Sequence, residues 1–482
     1  MATPKIVSSA TGPVRWREYM AMTADIGLVF GVVLSACFVG IVSRPAGLLA
    51  AVWPANALLL GLFVRFPRLA TPAGWLAAIA AYFAADLLTG GTILKTLLLT
   101  AGNLAGVVVG FALFMRLDAH DRDLTRPFSV LYLGLITSAA AAACAVVGSI
   151  ANPVLFHGGA LEGAVFWFVT EFVNYIAFLP VMLTLPVAGW QLAANWSHGA
   201  KSIISGSAAP FLALIVSCVG SLYVGGPGAM AFPVPALLWC ALVYELPGTA
   251  IVTVLFSTWT LVAISSGAIH VGADFNSMAS MLSIRIGVAL MALAPITVAS
   301  VMAARNEFQI LLQRMITNDP LTAALNRRAF AVRCRNLLAP LAEKQSLVAV
   351  LIFNLDRFRD INRSHGHAAG DETLKAFART ARAFLPHADD FGRLGGDEFA
   401  VLLSVPDAKE AKEVAEMISR SFAEKRILWG PSNLVRSTVS VGVALTERIP
   451  LTVEPLLTEA EKALERAKAS GGNRVALADA HA

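Results

Sequence analysis

The stretch GRLGGDEFAVLL, residues 392–403, decides how this chain is read. Apolar, β-favouring residues lie on both sides of Gly395-Gly396, which is the pattern of a hairpin. Adjacent glycines allow positive φ and leave no side chain in the way of a ligand. Asp397 and Glu398 follow at once, and two neighbouring carboxylates repel unless a cation lies between them. Taken alone, the stretch is either a metal and phosphate site or a charged turn without a ligand.

The flanking segments set its context. Helix LTAALNRRAFAVRCRNLL (321–338) comes first and strand SLVAVLIFNLD (346–356) second. A helix starting near Asp371 puts Leu374, Phe377, Ala378 and Ala381 on one face. After the hairpin come a helix near 407–425, strand STVSVGVAL (437–445) and a helix over 453–469. The order β-α-β-β-α-β predicts an α+β domain with a ferredoxin-like, palm-type sheet and helices on one side. In that topology the strand ending at Asn354 and Asp356 lies beside the hairpin. Its oxygens would join Asp397 and Glu398 around one or two Mg²⁺ ions, which take hard oxygen ligands together with substrate phosphates. Two metals lower the pKa of an attacking hydroxyl and neutralise an in-line displacement at phosphorus.

The remainder of the chain is of another kind. Hydrophobic residues make up 57% of the 482 and charged ones 14%, a balance that fits a membrane protein rather than a soluble enzyme. We expect a cytoplasmic tail over 1–23, an integral membrane domain over 24–304 with about eight to ten helices, a signal helix over 305–318 and the α+β domain over 319–482. The ten segments are 24–43, 47–64, 71–88, 95–115, 129–150, 164–187, 207–224, 229–245, 247–266 and 281–303; Pro54, Pro233 and Pro235 mark the second and eighth as short and kinked. Lys5, Arg15, Arg17, Arg65, Arg68, Arg116, Arg122, Arg126, Lys201, Arg305 and Arg314 fall on one side, against Arg44, Lys95 and Arg285 on the other. Positive loops mark the cytoplasm, so both termini are expected inside. The same arginines account for the net charge of +5 without a nucleic-acid partner. The five cysteines have no metal-site or disulfide spacing, and the first apolar run is too long for a cleaved signal peptide. Asn56, Asn103, Glu171 and Asn174 are polar groups within spans. Glu171 and Asn174 share a helix face and are sensor candidates, the other reading being a buried hydrogen bond that fixes packing. In 303–318, Phe308, Leu311, Leu312 and Met315 recur at helical spacing. They predict either a coiled coil pairing two chains or an amphipathic helix packed on its own domain.

Taken together the soluble segments resemble the GGDEF domain of diguanylate cyclases. NDPLTAALNRR (318–328), FNLDRFRDIN (353–362), GHAAGD (366–371), RLGGDEF (393–399), VSVGVA (439–444) and ALERAKASGGN (463–473) are similar, in order, to that family's motifs. WPANALLLGLFVRFPR (53–68) resembles a MASE-type integral membrane sensor. The resemblance implies condensation of two GTP to cyclic di-GMP with release of two pyrophosphates. Each domain of a homodimer would hold one GTP, on the cytoplasmic side of a bacterial inner membrane. It places metal (Mg²⁺ or Mn²⁺) at Asn354, Leu355, Asp397 and Glu398, with Asp397 and Glu398 catalytic. Guanine would fall to Asn362 and Asp371. Phosphates would fall to the amides around Arg357 and Phe358, to Arg359 and to Lys468. Gly395, Gly396 and His367 would border the nucleotide.

The chain also departs from the family pattern. Asn354 stands where the family has its first metal aspartate, and an amide keeps the oxygen but loses the charge. Gly472 stands where an arginine is expected, with Arg474 nearby; Arg363 replaces an acid and Glu465 a tyrosine. The family's product-inhibition motif falls on Pro386, His387, Ala388 and Asp389 without its arginine, and Arg382 lies a turn too early, so tight feedback binding is not expected. No phosphodiesterase-like segment is expected. His365 and His367 lack the partners of a metal site, and the acids of DAKEAKEVAEM (407–417) read as a solvated helix face. An active cyclase and a degenerate module acting through GTP binding, dimerisation or a partner both remain open. A transporter with a regulatory appendage would need an inverted repeat, and no clear one is present.

Overall fold

The computed structural model describes residues 12–43, 51–186, 208–269, 278–343, 347–385, 391–430, 433–447 and 452–479. The chain divides into two compact units, Met1–Glu307 and Phe308–Ala482.

The first unit is helical. Among the described residues six helices are long and apolar enough to cross a membrane: Met20–Val42 within α1 (Gly12–Val42), α4 (Ile93–Phe114), α6 (Ser129–Phe156), α7 (Ala160–Thr184), α10 (Leu246–Ser265) and α11 (Met278–Thr317). Four shorter apolar helices accompany them, α2 (Ala55–Arg65), α3 (Pro72–Leu88), α8 (Ala209–Val224) and Gly228–Val243, the last containing α9 (Val234–Val243). The expected tail over 1–23 is helical from Gly12. Proline shortens the second and eighth segments: Pro54 and Pro233 stand at the entry to α2 and α9, where the missing N–H costs no helical bond. Loops expected on one side do meet at one end of this unit. Arg65 pairs with Asp123 at 2.5 Å and donates to the Leu185 carbonyl, and Ser300 donates to the Arg126 carbonyl at 2.7 Å.

The second unit is built on a six-stranded sheet in the order β1-β3-β4-β2-β7-β8. Its strands are β1 (Leu325–Asn326), β2 (Leu347–Leu355), β3 (Phe391–Gly395), β4 (Glu398–Val405), β7 (Val439–Thr446) and β8 (Val475–Leu477); β5 (Ile427–Trp429) and β6 (Asn433–Val435) form a separate hairpin. The central order β3-β4-β2-β7 is that of a ferredoxin-like β-α-β-β-α-β core, as expected.

Two expectations need correction. Helices cover both faces of the sheet, not one. The aromatic cluster of Phe353, Phe377, Phe391, Phe399 and Phe422 fills one face, under α14 (His367–Phe384) and α15 (Ala408–Ala423). Val348, Val350 and Ile352, the alternate residues of β2, pack on the other face with Phe330 of α12 (Arg327–Glu343) and Leu464 of α16 (Glu454–Ala469). An unbroken apolar run such as LVAVLIF is the signature of a strand buried on both sides. In addition, 321–338 is not all helix. Asp319 accepts from the Thr322 amide and hydroxyl, and Ala323 turns left-handed at φ 55°. Leu325–Asn326 then pair with β3, and α12 begins only at Arg327. A short helix not foreseen, α13 (Phe358–His365), precedes α14.

The stripe on the C-terminal part of α11 is uncovered: Phe308, Leu311, Leu312 and Met315 are 37–68% exposed. That excludes packing on its own domain.

Sheet and α16 approach closely beside Gly442, where a Cβ would collide with the Ala460 carbonyl and the Leu464 amide. Backbone cannot yield as a side-chain end can, so Gly442→Ala should destabilise the unit by about 1–3 kcal/mol, the usual cost of overpacking. Urea denaturation of a 308–482 fragment checks this.

Candidate active site

The site grows out of strand alternation. Asn354 pairs across the sheet with Glu398 of β4 on one side and Ser440 of β7 on the other. Because side chains alternate, Asn354, Asp356, Glu398 and Ser440 share the face that α16 covers. Lys468, in the last turn of α16, reaches the same place. The hairpin turn adds Asp397, whose carbonyl accepts from the Leu355 amide at 3.2 Å. Gly395 and Gly396 both have positive φ, 153° and 48°, and a Cβ on either would meet nothing within 4 Å. The turn is therefore glycine for its backbone conformation, with open space beside it.

A cleft of about 1360 Å³ opens here. Of the residues expected at the site, Asn354, Leu355, Phe358, Arg359, Asp397, Glu398 and Lys468 line it. Asn362, Asp371, His367, Gly395 and Gly396 lie outside its wall. Asn362 sits at the corner between α13 and α14. Its Oδ1 is buried without a hydrogen-bond partner, pressed against Gly370, where a Cβ would overlap it. Asp371 and His367 are exposed nearby on α14. The floor of the cleft is the start of α13, where Arg357 adopts a left-handed conformation (φ 52°). A non-glycine residue there is strained, and the first residues of α13, Phe358 and Arg359, line the cleft; the amides of a helix start suit an anion.

Asp356 has a different role from its neighbours. Its Oδ2 accepts from the Thr438 hydroxyl at 2.7 Å and from the Asn473 amide at 2.9 Å, and its Oδ1 accepts from the Ser440 hydroxyl at 2.6 Å. It ties β2 to β7 and to the loop after α16. Gly472 in that loop has φ 74°, and a Cβ there would stand 3.1 Å from Asp356 Oδ1. Arg474 does not line the cleft; its Nε donates to the Gly472 carbonyl at 3.2 Å.

The electrostatics are uneven. Burial, reinforced by the charge on Asp397, pushes the Glu398 carboxyl above the usual carboxylate range, while Lys468 pulls it down. Among the described residues no group of three or more His, Cys, Asp or Glu comes together to cage a metal. Two carboxylates, an amide oxygen and neighbouring carbonyls are a sparse donor set. They fit a hard divalent cation whose shell is completed by water and phosphate.

A second link was not foreseen. Arg393 makes two bonds of 3.0 Å to Asp319 and two, of 2.6 and 3.0 Å, to the Gly396 carbonyl. It holds the hairpin turn to the turn that follows α11. The signal was an acid and an arginine in separate motifs, 74 residues apart.

Outside the cleft, Glu171 Oε2 accepts from Asn56 Nδ2 at 2.8 Å, and Asn56 in turn meets Tyr82 and Asn103. Asn174 Oδ1 accepts from the Trp53 amide at 2.9 Å. Both are buried. Arg382 donates to the Thr322 carbonyl and covers the Phe391 ring. Residues 386–389 of the expected product-inhibition motif lie outside the described residues.

Residues 316–474 match the family described as diguanylate cyclase, GGDEF domain. The chain is 28% identical over 452 residues to the probable diguanylate cyclase DgcF of Escherichia coli O157:H7, covering 92% of this chain and 93% of that protein. It is 31% identical over 314 residues to the DgcF of Escherichia coli strain K12, covering 64% of this chain and 95% of that protein. Among solved structures, the GGDEF domain of TpbB from Pseudomonas aeruginosa is 35% identical, with a TM-score of 0.32, covering 34% of this chain and 94% of that one.

The Asp319–Arg393 pair is open to a direct test. Although burial works against it, the Thr322 groups and Arg393 hold the Asp319 carboxyl below its usual range. Its contribution to stability is complete above about pH 4 and is lost as pH falls through the lower folded-state value. Asp319→Asn should cost about 1–3 kcal/mol at pH 7. The gap to the wild type should close as the pH is lowered below 4, in urea titrations of the 308–482 fragment at several pH values.

Proposed function

The chain belongs to the GGDEF family of diguanylate cyclases, and on that premise we propose that it condenses two GTP to cyclic di-GMP and two pyrophosphates, as a homodimer in which each domain presents one nucleotide to the other. The observation that carries this reading is the meeting of Asn354, Asp397 and Glu398 at the mouth of a cleft whose other walls carry Arg357, Arg359 and Lys468. Carboxylates for a cation and cations for a polyphosphate stand within one cleft.

Each part of GTP then has a place. The first amides of α13, around Phe358 and Arg359, take the β- and γ-phosphates, with Lys468 adding charge across the cleft. Asn362 and Asp371 take guanine. Gly395 and Gly396 leave room for the ribose and α-phosphate of the partner's nucleotide. Asp397, Glu398, Asn354 and the Leu355 carbonyl would hold a divalent ion, Mg²⁺ or Mn²⁺, which lowers the pKa of the 3′-hydroxyl and spreads the charge developing on the α-phosphate. Glu398 would also receive the hydroxyl proton, as the carboxylate that follows the turn. The exposed stripe Phe308, Leu311, Leu312 and Met315 suits a parallel pairing of two α11 helices, which would bring the domains face to face.

The apolar unit would anchor the enzyme in a bacterial inner membrane as a MASE-type sensor, with the catalytic domain in the cytoplasm and activity regulated through α11. Glu171 and Asn174, buried among α2, α3, α4 and α7, are its sensor candidates.

The test uses the full chain in detergent with GTP and Mg²⁺ or Mn²⁺. Wild type should yield cyclic di-GMP and pyrophosphate, and Glu398→Gln should lower kcat by about 10²–10⁴-fold. Asn354→Asp should lower the divalent concentration needed for half-maximal activity, because a carboxylate replaces an amide as ligand. Product from Asn354→Asp and none from wild type would make the chain a degenerate module.

A further inference from the structure

We infer that Arg436, in the connection between β6 and β7, is a ligand for the substrate polyphosphate; this rests on reading the cleft as the GTP site. Residues 434–438 and 471–473 form a further part of the cleft wall, with Val435 packed on Ile361 of α13. Gly471, Gly472 and Asn473 bring no charge, and Arg474 is turned to the Gly472 carbonyl. Arg436 is the cation on that wall.

Its setting distinguishes it from an arginine that is merely solvated. The residues on either side are fixed: Val435 pairs with Ile427 and is 5% exposed, and Ser437 is 6% exposed. Thr438 is bound twice to Asp356, through its hydroxyl at 2.7 Å and its carbonyl at 2.9 Å. The Cα of Arg436 is thus held at the rim, tied to the strand that carries Asn354. Its side chain is exposed and makes no ion pair or hydrogen bond with any described residue. Three of the four carboxylates that line the cleft are otherwise engaged, Asp356 by Thr438, Ser440 and Asn473, Asp360 by Arg363, and Glu398 by the Lys468 charge; the fourth, Asp397, stands on the hairpin turn. A guanidinium anchored at the backbone and free at its fork matches the oxygens of a phosphate with two parallel bonds.

The experiment measures equilibrium binding of GTP and of GMP, each with Mg²⁺, to the full chain in detergent, together with KM and kcat for cyclic di-GMP formation. The variants are Arg436→Ala, Arg436→Lys and Arg474→Ala. GMP keeps the base and sugar and lacks the β- and γ-phosphates. We expect Arg436→Ala to weaken GTP about 10–100-fold, the range of a lost charge-assisted contact, with GMP changed less than about twofold. KM should rise by a similar factor with kcat little altered. Arg436→Lys should recover part of the loss, and Arg474→Ala should bind both nucleotides like wild type. Equal weakening of GTP and GMP, or unchanged GTP affinity, would overturn the assignment. If wild type binds GTP through Arg436 but makes no cyclic di-GMP, the cyclase reading falls and this one stands. If cyclic di-GMP forms with the same KM in Arg436→Ala, this one falls alone. A wild type that binds no GTP overturns both.

Discussion

The carboxylate of Asp356 is the point on which the site depends. Three donors converge on it from two other segments: two hydroxyls from Thr438 and Ser440 and one amide from Asn473. A carboxylate accepting several hydrogen bonds in a half-buried setting holds them more firmly than neutral acceptors do. Through those bonds the end of β2, the start of β7 and the loop closing α16 become one rigid rim. Asn354, Lys468 and Arg436 all stand on that rim, so the spacing between metal-side oxygens and phosphate-side cations is set by a residue that itself would bind neither.

The opposite edge is held by another charge. Arg393 grips the Gly396 carbonyl and Asp319 together, fixing the hairpin turn relative to the turn that follows α11. Because the pair is largely shielded from solvent, it is worth more than a surface ion pair. A displacement of the chain at Asn318–Asp319 would be felt at Asp397 through two side-chain contacts, without any change in the sheet. The core gives the site its stiffness: Phe377 meets Phe353, Phe399 and Phe422 at ring separations of 4.9 to 5.5 Å directly behind the reacting face.

Asn354 changes the charge balance at the cross-strand pair. A carboxylate there would face Glu398 with Asp397 beside it, three negative groups at a partly buried strand end. Burial and Asp397 already push the Glu398 proton affinity up. An amide removes one repulsion, so the empty-site fold is less burdened, and it also removes one ligand charge, so a cation is held more weakly. The two effects act on different states, which is why the substitution is compatible with an intact fold around an altered site.

By itself the sequence determined what depends on local order. Period-two and period-3.6 patterns gave the β-α-β-β-α-β core, the apolar runs gave the helical unit, and the glycine pair with Asp397 and Glu398 marked the turn, because neighbours in sequence are neighbours in a hairpin. The doubly apolar β2 also carried the sign that both faces are covered, which a reading based only on element order missed. The helix start was misread at 321–326 because the Asp319–Thr322 turn and the left-handed Ala323 override helix-favouring composition. What only the tertiary structure decided are the contacts between distant segments: Asp356 with Thr438 and Asn473, Arg393 with Asp319, and Arg436 on the rim of the cleft. These pairings are set by sheet register and by how α16 lies on β7, where Gly442 admits the helix backbone. Register is a property of the assembled sheet, and no spacing along the chain encodes which side chains it will bring face to face.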